Sequence, residues 1–346
     1  MTPTRRLLLA TALAGSMLPQ AGLASTADFL ARHAVTPEDL AGGRARRPAA
    51  RRRNLIGYLF LAPFLILFTT FVIVPAIFGL WISLTNWSPF RDSQDFVGLK
   101  NYIDLFTAGS TTSGDFWQAM GATGLFVLLS VPFLVVLPLF IAVLLNRKLR
   151  GATVFRTVFF APYVLGVAIV GVIWNYVFDT QSGILNHVLG LLGLPDDTPW
   201  VVDTPWVWVS LVGVTVWWTA GLNTVIFLAG LKGINTDLYE AAALDGAGAA
   251  RTFFSVTLPG LRPVMLFITT TTVLASANMF GQSYLLTNGG PGNATRTAIM
   301  YIADQGLSQN NMAPASAMSY VLFAFLAIIS AINFRLQRER TEKVIK

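Results

Sequence analysis

The chain has 346 residues, 54% hydrophobic and 12% charged, with a formal net charge of +7. Soluble domains carry about 25% charge, so this balance excludes an ordinary water-soluble protein. Cysteine is absent and only His33 and His187 are present, which excludes disulfides, thiol nucleophiles and a histidine-built metal centre.

In chain order, residues 1–53 form a leader. Arg5-Arg6 followed by a short apolar stretch resembles a secretory signal, but a signal cut near Ala24 would start the next span outside, against six arginines. A cytoplasmic leader, disordered or lying on the lipid surface, or a start assigned too early, fits the arginines better. The stretch GGRARRPAARRR reads as a linker touching lipid headgroups, not as a nucleic-acid arm.

Six apolar runs follow, at about 57–84, 116–145, 158–178, 206–231, 264–286 and 315–334, each near the roughly 20 residues that cross a bilayer core. Pro63, Pro75, Pro132 and Pro138 interrupt the first two. Membrane helices tolerate this where neighbours satisfy the freed carbonyls. Trp81, Trp87, Trp174, Tyr176, Trp200 and Trp206 flank the ends as an interfacial belt. The expected fold is an all-α membrane protein of six transmembrane helices, residues 54–340, with a tail at 341–346.

Basic residues set the orientation. Eighteen fall before the first run, in the second and fourth connections and after the sixth run, against three (Arg91, Lys100 and Arg296) in the opposite loops. The positive-inside rule then puts both termini in the cytoplasm.

No Asp, Glu, Lys, Arg or His lies within these runs. Proton- and ion-coupled carriers usually carry ionisable groups there. No phosphate-cradling Gly-x-x-x-x-Gly-Lys-Ser/Thr motif and no catalytic constellation is present, so the chain is not read as an enzyme. A carrier working alone would show internal repeats or half-broken helices around an ion site. The sequence suggests neither. A membrane scaffold that docks a soluble protein without transporting anything is the other rival.

The connection at 232–263 sits on the basic side. Asn235 or Thr236 suits an N-cap, and Asp237 and Glu240 suit the first turn of a short helix. Gly246 and Gly248 interrupt it, and Arg251–Val256 reads as a second short helix stopped by Pro259. Small residues allow close approach of another backbone.

Glu240-Ala241-Ala242, then Gly246, then Leu258-Pro259 resemble the EAA loop of ABC importer permeases. That family often has proline before this helix, where Asn235-Thr236 stands here. The segments Ser83–Trp87, Phe96–Tyr102, Arg156–Tyr163, Asp179–Asn186 and Leu286–Pro291 are similar to the carbohydrate-uptake branch, of maltose and glycerol-3-phosphate type. They are closer to the first of its two permeases. The resemblance covers about residues 54–340 and implies a type I importer fold in a bacterial plasma (inner) membrane. It implies a sister permease, two ATPase subunits carrying ATP and Mg, an external binding protein, and no cofactor on this chain. It makes Glu240, Ala241, Ala242, Gly246, Leu258 and Pro259 the ATPase-docking residues.

The substrate path should use uncharged polar groups in the fourth and fifth runs. Trp218, Thr219 and Asn223 supply the fourth; Thr272, Ser276, Asn278, Met279 and Gln282 supply the fifth. Amides, hydroxyls and aromatic faces suit sugars. The same types also serve as packing glue between membrane helices. The lack of basic groups favours a neutral sugar over a phosphorylated one.

Overall fold

The structure is a computed structural model and describes residues 60–90, 94–107, 109, 111–146 and 152–345. The leader at 1–53 and its arginines lie outside the described residues. Every regular element among the described residues is helical, apart from one antiparallel bridge between Thr85 and Phe96.

Among the described residues, four helices are long and apolar enough to cross a membrane: α1 (Phe60–Ser83), α3 (Thr111–Leu145), α7 (Trp206–Lys232) and α13 (Met312–Ile345), the last over Met312–Arg335. Between α1 and α3 lies the short helix α2 (Lys100–Phe106). The chain divides into two compact units at Val74/Pro75. Of the first unit, the structure describes the apolar, exposed stretch 60–74. The elements from α2 onward belong to the second.

The third and fifth apolar runs are not straight spans. α4 (Ala152–Phe160) continues as a 3₁₀ turn (Ala161–Val164) and meets α5 (Val167–Val177) at a bend of 106°. Pro162 lies in the first turn of the 3₁₀ segment, and Gly166 is the extended residue before α5. The connecting segment after α5 contains α6 (Ile184–Leu191). It starts with a turn in which Asp179 Oδ1 accepts bonds from the Gln181 and Ser182 amides and the Ser182 hydroxyl. Those bonds, led by the Ser182 amide, hold the carboxyl below its usual pKa.

The fifth run, expected as one helix over 264–286, is α10 (Arg262–Ala277) and α11 (Gly281–Leu286), broken at residues 278–280. A half-broken helix, which the sequence did not suggest, is therefore present. Thr297 Oγ1 donates to the Met279 carbonyl at the break, at 2.7 Å, and Asn175 Nδ2 donates to the Leu285 carbonyl near its far end, at 2.6 Å. Polar side chains from other segments thus replace the missing helix bonds. Counting each bent pair as one crossing gives six spans; counting straight helices gives four.

The connection before α10 is a helical hairpin of α8 (Thr236–Leu244) and α9 (Ala249–Gly260), the latter bent 68° from α10. Pro259 does not stop α9. The preceding turn widens to π geometry at Phe253–Thr257, so Leu258 N–H bonds to the Phe253 carbonyl and the helix continues through the proline. Beyond α11, α12 (Ala298–Ala303) leads through a π turn to α13.

α3 runs through three buried apolar clusters. Phe116 and Ala119 pack with Leu105, Tyr301 and Met318. Phe126 packs with Val170, Leu211, Val214 and Met279. Leu139, Ala142 and Leu145 pack with Phe227, Leu231, Leu261 and Ile268. α7 approaches α4 closely because position 221 is glycine. A Cβ there would stand 2.1 Å from the Phe159 carbonyl oxygen.

Candidate functional site

Between the Phe126 and Leu139 clusters lies a layer of buried polar side chains from α3, α7 and α10. Asn223 Nδ2 donates to the Leu134 carbonyl at 2.9 Å and to Thr272 Oγ1 at 3.3 Å. Leu134 precedes Pro138 by four residues, so its carbonyl is the one left without a helix donor. The Asn223 amide therefore repairs the proline defect of a neighbouring helix. Ser130 Oγ donates to Ser276 Oγ at 3.1 Å across the same layer. Trp218 Nε1 donates to the Leu165 carbonyl, at the bend between the 3₁₀ turn and α5, at 3.0 Å.

This layer opens into a cavity of about 470 Å³. Trp218, Thr219, Asn223, Thr272, Ser276, Asn278, Met279 and Gln282, eight of the residues singled out from sequence, line it. Phe126, Leu134, Tyr163, Val167 and Phe280 also line it and were not anticipated. Tyr163 and Val167 arrive because the 106° bend folds the third run toward α7. The wall carries no charged side chain. Aromatic faces with hydroxyls and amides in a cavity of this size suit an uncharged, hydroxyl-rich ligand.

The wall residues divide by their existing bonds. Asn223, Thr272, Ser276 and Trp218 are tied to neighbouring segments, as above. Asn278 Nδ2 bonds at 2.7 Å to the Leu274 carbonyl in the last turn of its own helix, so its amide caps α10. Gln282, at the start of α11, has no hydrogen-bond partner among the described residues and is half-buried. The paired amides expected from sequence thus fall on different segments, Asn278 as the C-terminal cap of α10 and Gln282 within α11, and have different duties.

The hairpin presents a second candidate surface. Asn235 caps α8 by accepting from the Asp237 amide at 3.1 Å. The helix ends in a complete Schellman turn: Ala247 N–H bonds to the Ala242 carbonyl at 2.9 Å, and Gly246 N–H to that of Ala243 at 3.1 Å. Gly246 takes φ of 69°, which this turn requires and glycine allows. Gly248 has φ of −69° and simply precedes α9. Tyr239 and Thr257 hydroxyls bond across the hairpin at 3.2 Å.

Glu240, Ala241 and Gly246 are exposed, and Ala242 is half-buried. Leu244 is 90% exposed, Phe254 66% and Leu238 52%, an unusual display of apolar side chains beside a free carboxylate. Among the described residues Glu240 has no ion-pair partner. Leu258 faces inward, against the Leu261 and Ile268 cluster, while Pro259 is half-buried. Exposed apolar side chains around a short rigid turn form a surface suited to a partner's groove.

The profile of a family described as "binding-protein-dependent transport system inner membrane component" matches residues 105–341. The chain is 31% identical over 291 residues to the trehalose/maltose transport system permease protein MalF of Thermococcus litoralis, covering 84% of this chain and 96% of that one. It is 31% identical over 303 residues to the lactose transport system permease protein LacF of Rhizobium radiobacter, covering 86% and 98%. Among solved structures, a chain of a bacterial alginate ABC transporter, in complex with an alginate pentasaccharide-bound periplasmic protein, superposes with a TM-score of 0.73. That match has 22% identity and covers 86% of this chain and 98% of the other.

Proposed function

Since this chain belongs to the family of binding-protein-dependent transport system inner membrane components, we propose that it is one of two permease subunits of an ATP-driven sugar importer. The proposed assembly pairs it with a sister permease, two ATPase subunits that hold ATP and Mg, and an external binding protein. In this reading the chain crosses a bacterial inner membrane six times, each bent pair counting as one crossing, with both termini in the cytoplasm.

The observation that carries the proposal is a physical continuity. The exposed hairpin α8–α9 leads through Leu261 directly into α10, and α10 with its cap supplies Thr272, Ser276 and Asn278 to the uncharged cavity. A partner that moves the hairpin therefore moves one wall of the cavity. In this reading Glu240 meets a basic residue of the ATPase and Ala241, Ala242 and Gly246 permit close docking, whereas Leu258 and Pro259, expected from sequence among the docking residues, seat the hairpin on the bundle, since Leu258 packs inward. The relatives named above carry sugars in their names, and the uncharged polar wall supports a neutral sugar here over a phosphorylated one such as glycerol 3-phosphate.

The test is Glu240→Lys in the complete assembly. Uptake is expected to be lost and ATPase co-purification weakened, with membrane insertion unchanged. Normal uptake by that variant removes Glu240 from the coupling surface. Broken helices also occur in carriers that work alone. Uptake by wild-type vesicles without ATP would favour that rival.

A further inference from the structure

Beyond the polar cavity, on the far side of Phe280, lies a second pocket of about 480 Å³. It is built from α11, the 287–297 loop and the end of α12. Phe280 lines both spaces. Its ring stacks on Tyr284, with centroids 5.3 Å apart and planes within 11°. Both rings are open to solvent, Tyr284 at 51%.

Facing them are Asn288 and Asn293, held at φ of 47° and 64° by the loop. Hydroxyls fix that loop: Thr287 and the buried Thr295 bond to each other at 2.7 Å, and Thr295 Oγ1 donates to the Gly290 carbonyl at 2.7 Å. Neither asparagine amide, nor the Tyr284 hydroxyl, has a hydrogen-bond partner among the described residues. The wall is completed by Arg296, which is already engaged. Its guanidinium bonds Asp304 at 2.5 Å and lies 4.6 Å from the centre of the Tyr301 ring. Burial, with the Asp115 and Asp304 carboxylates, pushes the Tyr301 phenol upward, so that ring stays neutral beneath the cation.

This is a recognisable chemistry. Aromatic faces receive the C–H face of a pyranose, and unengaged amides and a phenol receive its hydroxyls. The one cation is neutralised, so an acidic or phosphorylated sugar would find no free charge. We propose that this pocket is a second carbohydrate subsite, holding a neutral sugar unit of an oligosaccharide whose adjoining unit occupies the cavity across Phe280. The inference rests on the sugar-importer reading, which places the 287–297 loop outside the cell.

The test uses the complete assembly in nanodiscs, with maltose, lactose, maltotetraose and arabinotriose as probes followed by saturation-transfer NMR. At least one of the four should bind, and Tyr284→Ala with Asn293→Ala should weaken it about tenfold. Tyr284→Phe, which keeps the ring, should stay within about threefold of wild type. No binding of any probe to wild type, or no loss in the double variant, overturns the subsite. Equal losses in Tyr284→Phe and Tyr284→Ala would remove the stacking role. Failure of an Asn293→Cys variant to react with a membrane-impermeant thiol reagent in the assembly would show the pocket covered, and also overturns it. ATP-dependent uptake by wild type, measured in parallel, separates the two readings. Its absence counts against the importer, whereas its presence with unchanged binding in the double variant counts against the subsite alone.

Discussion

Asn223 shows how one amide can serve a neighbour's defect. Removing it leaves the Leu134 carbonyl and Thr272 hydroxyl buried without their donor, a loss of about 1–3 kcal/mol. The cause is Pro138, so the cost should depend on it. Asn223→Ala is expected to lower the unfolding temperature in detergent. It should lower it less in a Pro138→Ala background, where the backbone N–H restored at that position can bond the Leu134 carbonyl. Equal shifts in both backgrounds would break the link. The two other amides separate likewise. Gln282→Ala should raise the KM for uptake without changing the unfolding temperature, because its side chain bonds nothing among the described residues. Asn278→Ala should lower that temperature, because its amide ends α10. A KM effect from Asn278 alone would reverse the assignment. The sequence made the residue types of this cavity legible: charge-free runs containing Asn, Gln, Ser, Thr and Trp. Which of those groups were already occupied was not legible, since Asn223 meets Leu134 across 89 positions of sequence.

Among the elements, the hairpin separates its two glycines. Gly246 holds the left-handed position of the Schellman turn, while Gly248 has ordinary backbone geometry and open space around it. Gly246→Ala should cost about 1 kcal/mol at the turn and reduce ATPase association, whereas Gly248→Ala should leave association close to wild type. Pull-down of the ATPase by each variant checks this, and equal losses would mean that the turn geometry is not what the partner reads. Hydropathy located the four straight apolar helices, and capping residues located the start of α8, because length and capping are local properties. It missed the breaks in the third and fifth runs. Pro162 and Gly166 lie inside the third and mark its bend, yet both residue types are common in straight membrane helices. The break at 278–280 has no proline, and depends on Thr297 bonding the Met279 carbonyl from another segment. Pro259 misled in the opposite direction, because a π turn absorbs it.

For the whole molecule, the absence of cysteine makes the topology directly measurable. Leu244→Cys should react with a membrane-impermeant thiol reagent only when the cytoplasmic face is open, and Asn293→Cys only from outside. Labelling of Leu244→Cys in sealed, right-side-out vesicles would invert the orientation and end the coupling argument. Basic residues alone give the expected sidedness that this labelling tests, because that rule depends on counts and not on packing. The joint between hairpin and bundle was not predictable in this way. Leu261 has no exposed surface where α9 turns into α10. It is wedged among Leu231, Phe227 and Ile268. A knuckle seated in so dry a socket has little slack. In the proposed importer, a shove on the protruding finger would therefore travel onward as tilt in the helices that grip it, and reach the polar cavity as a change of shape.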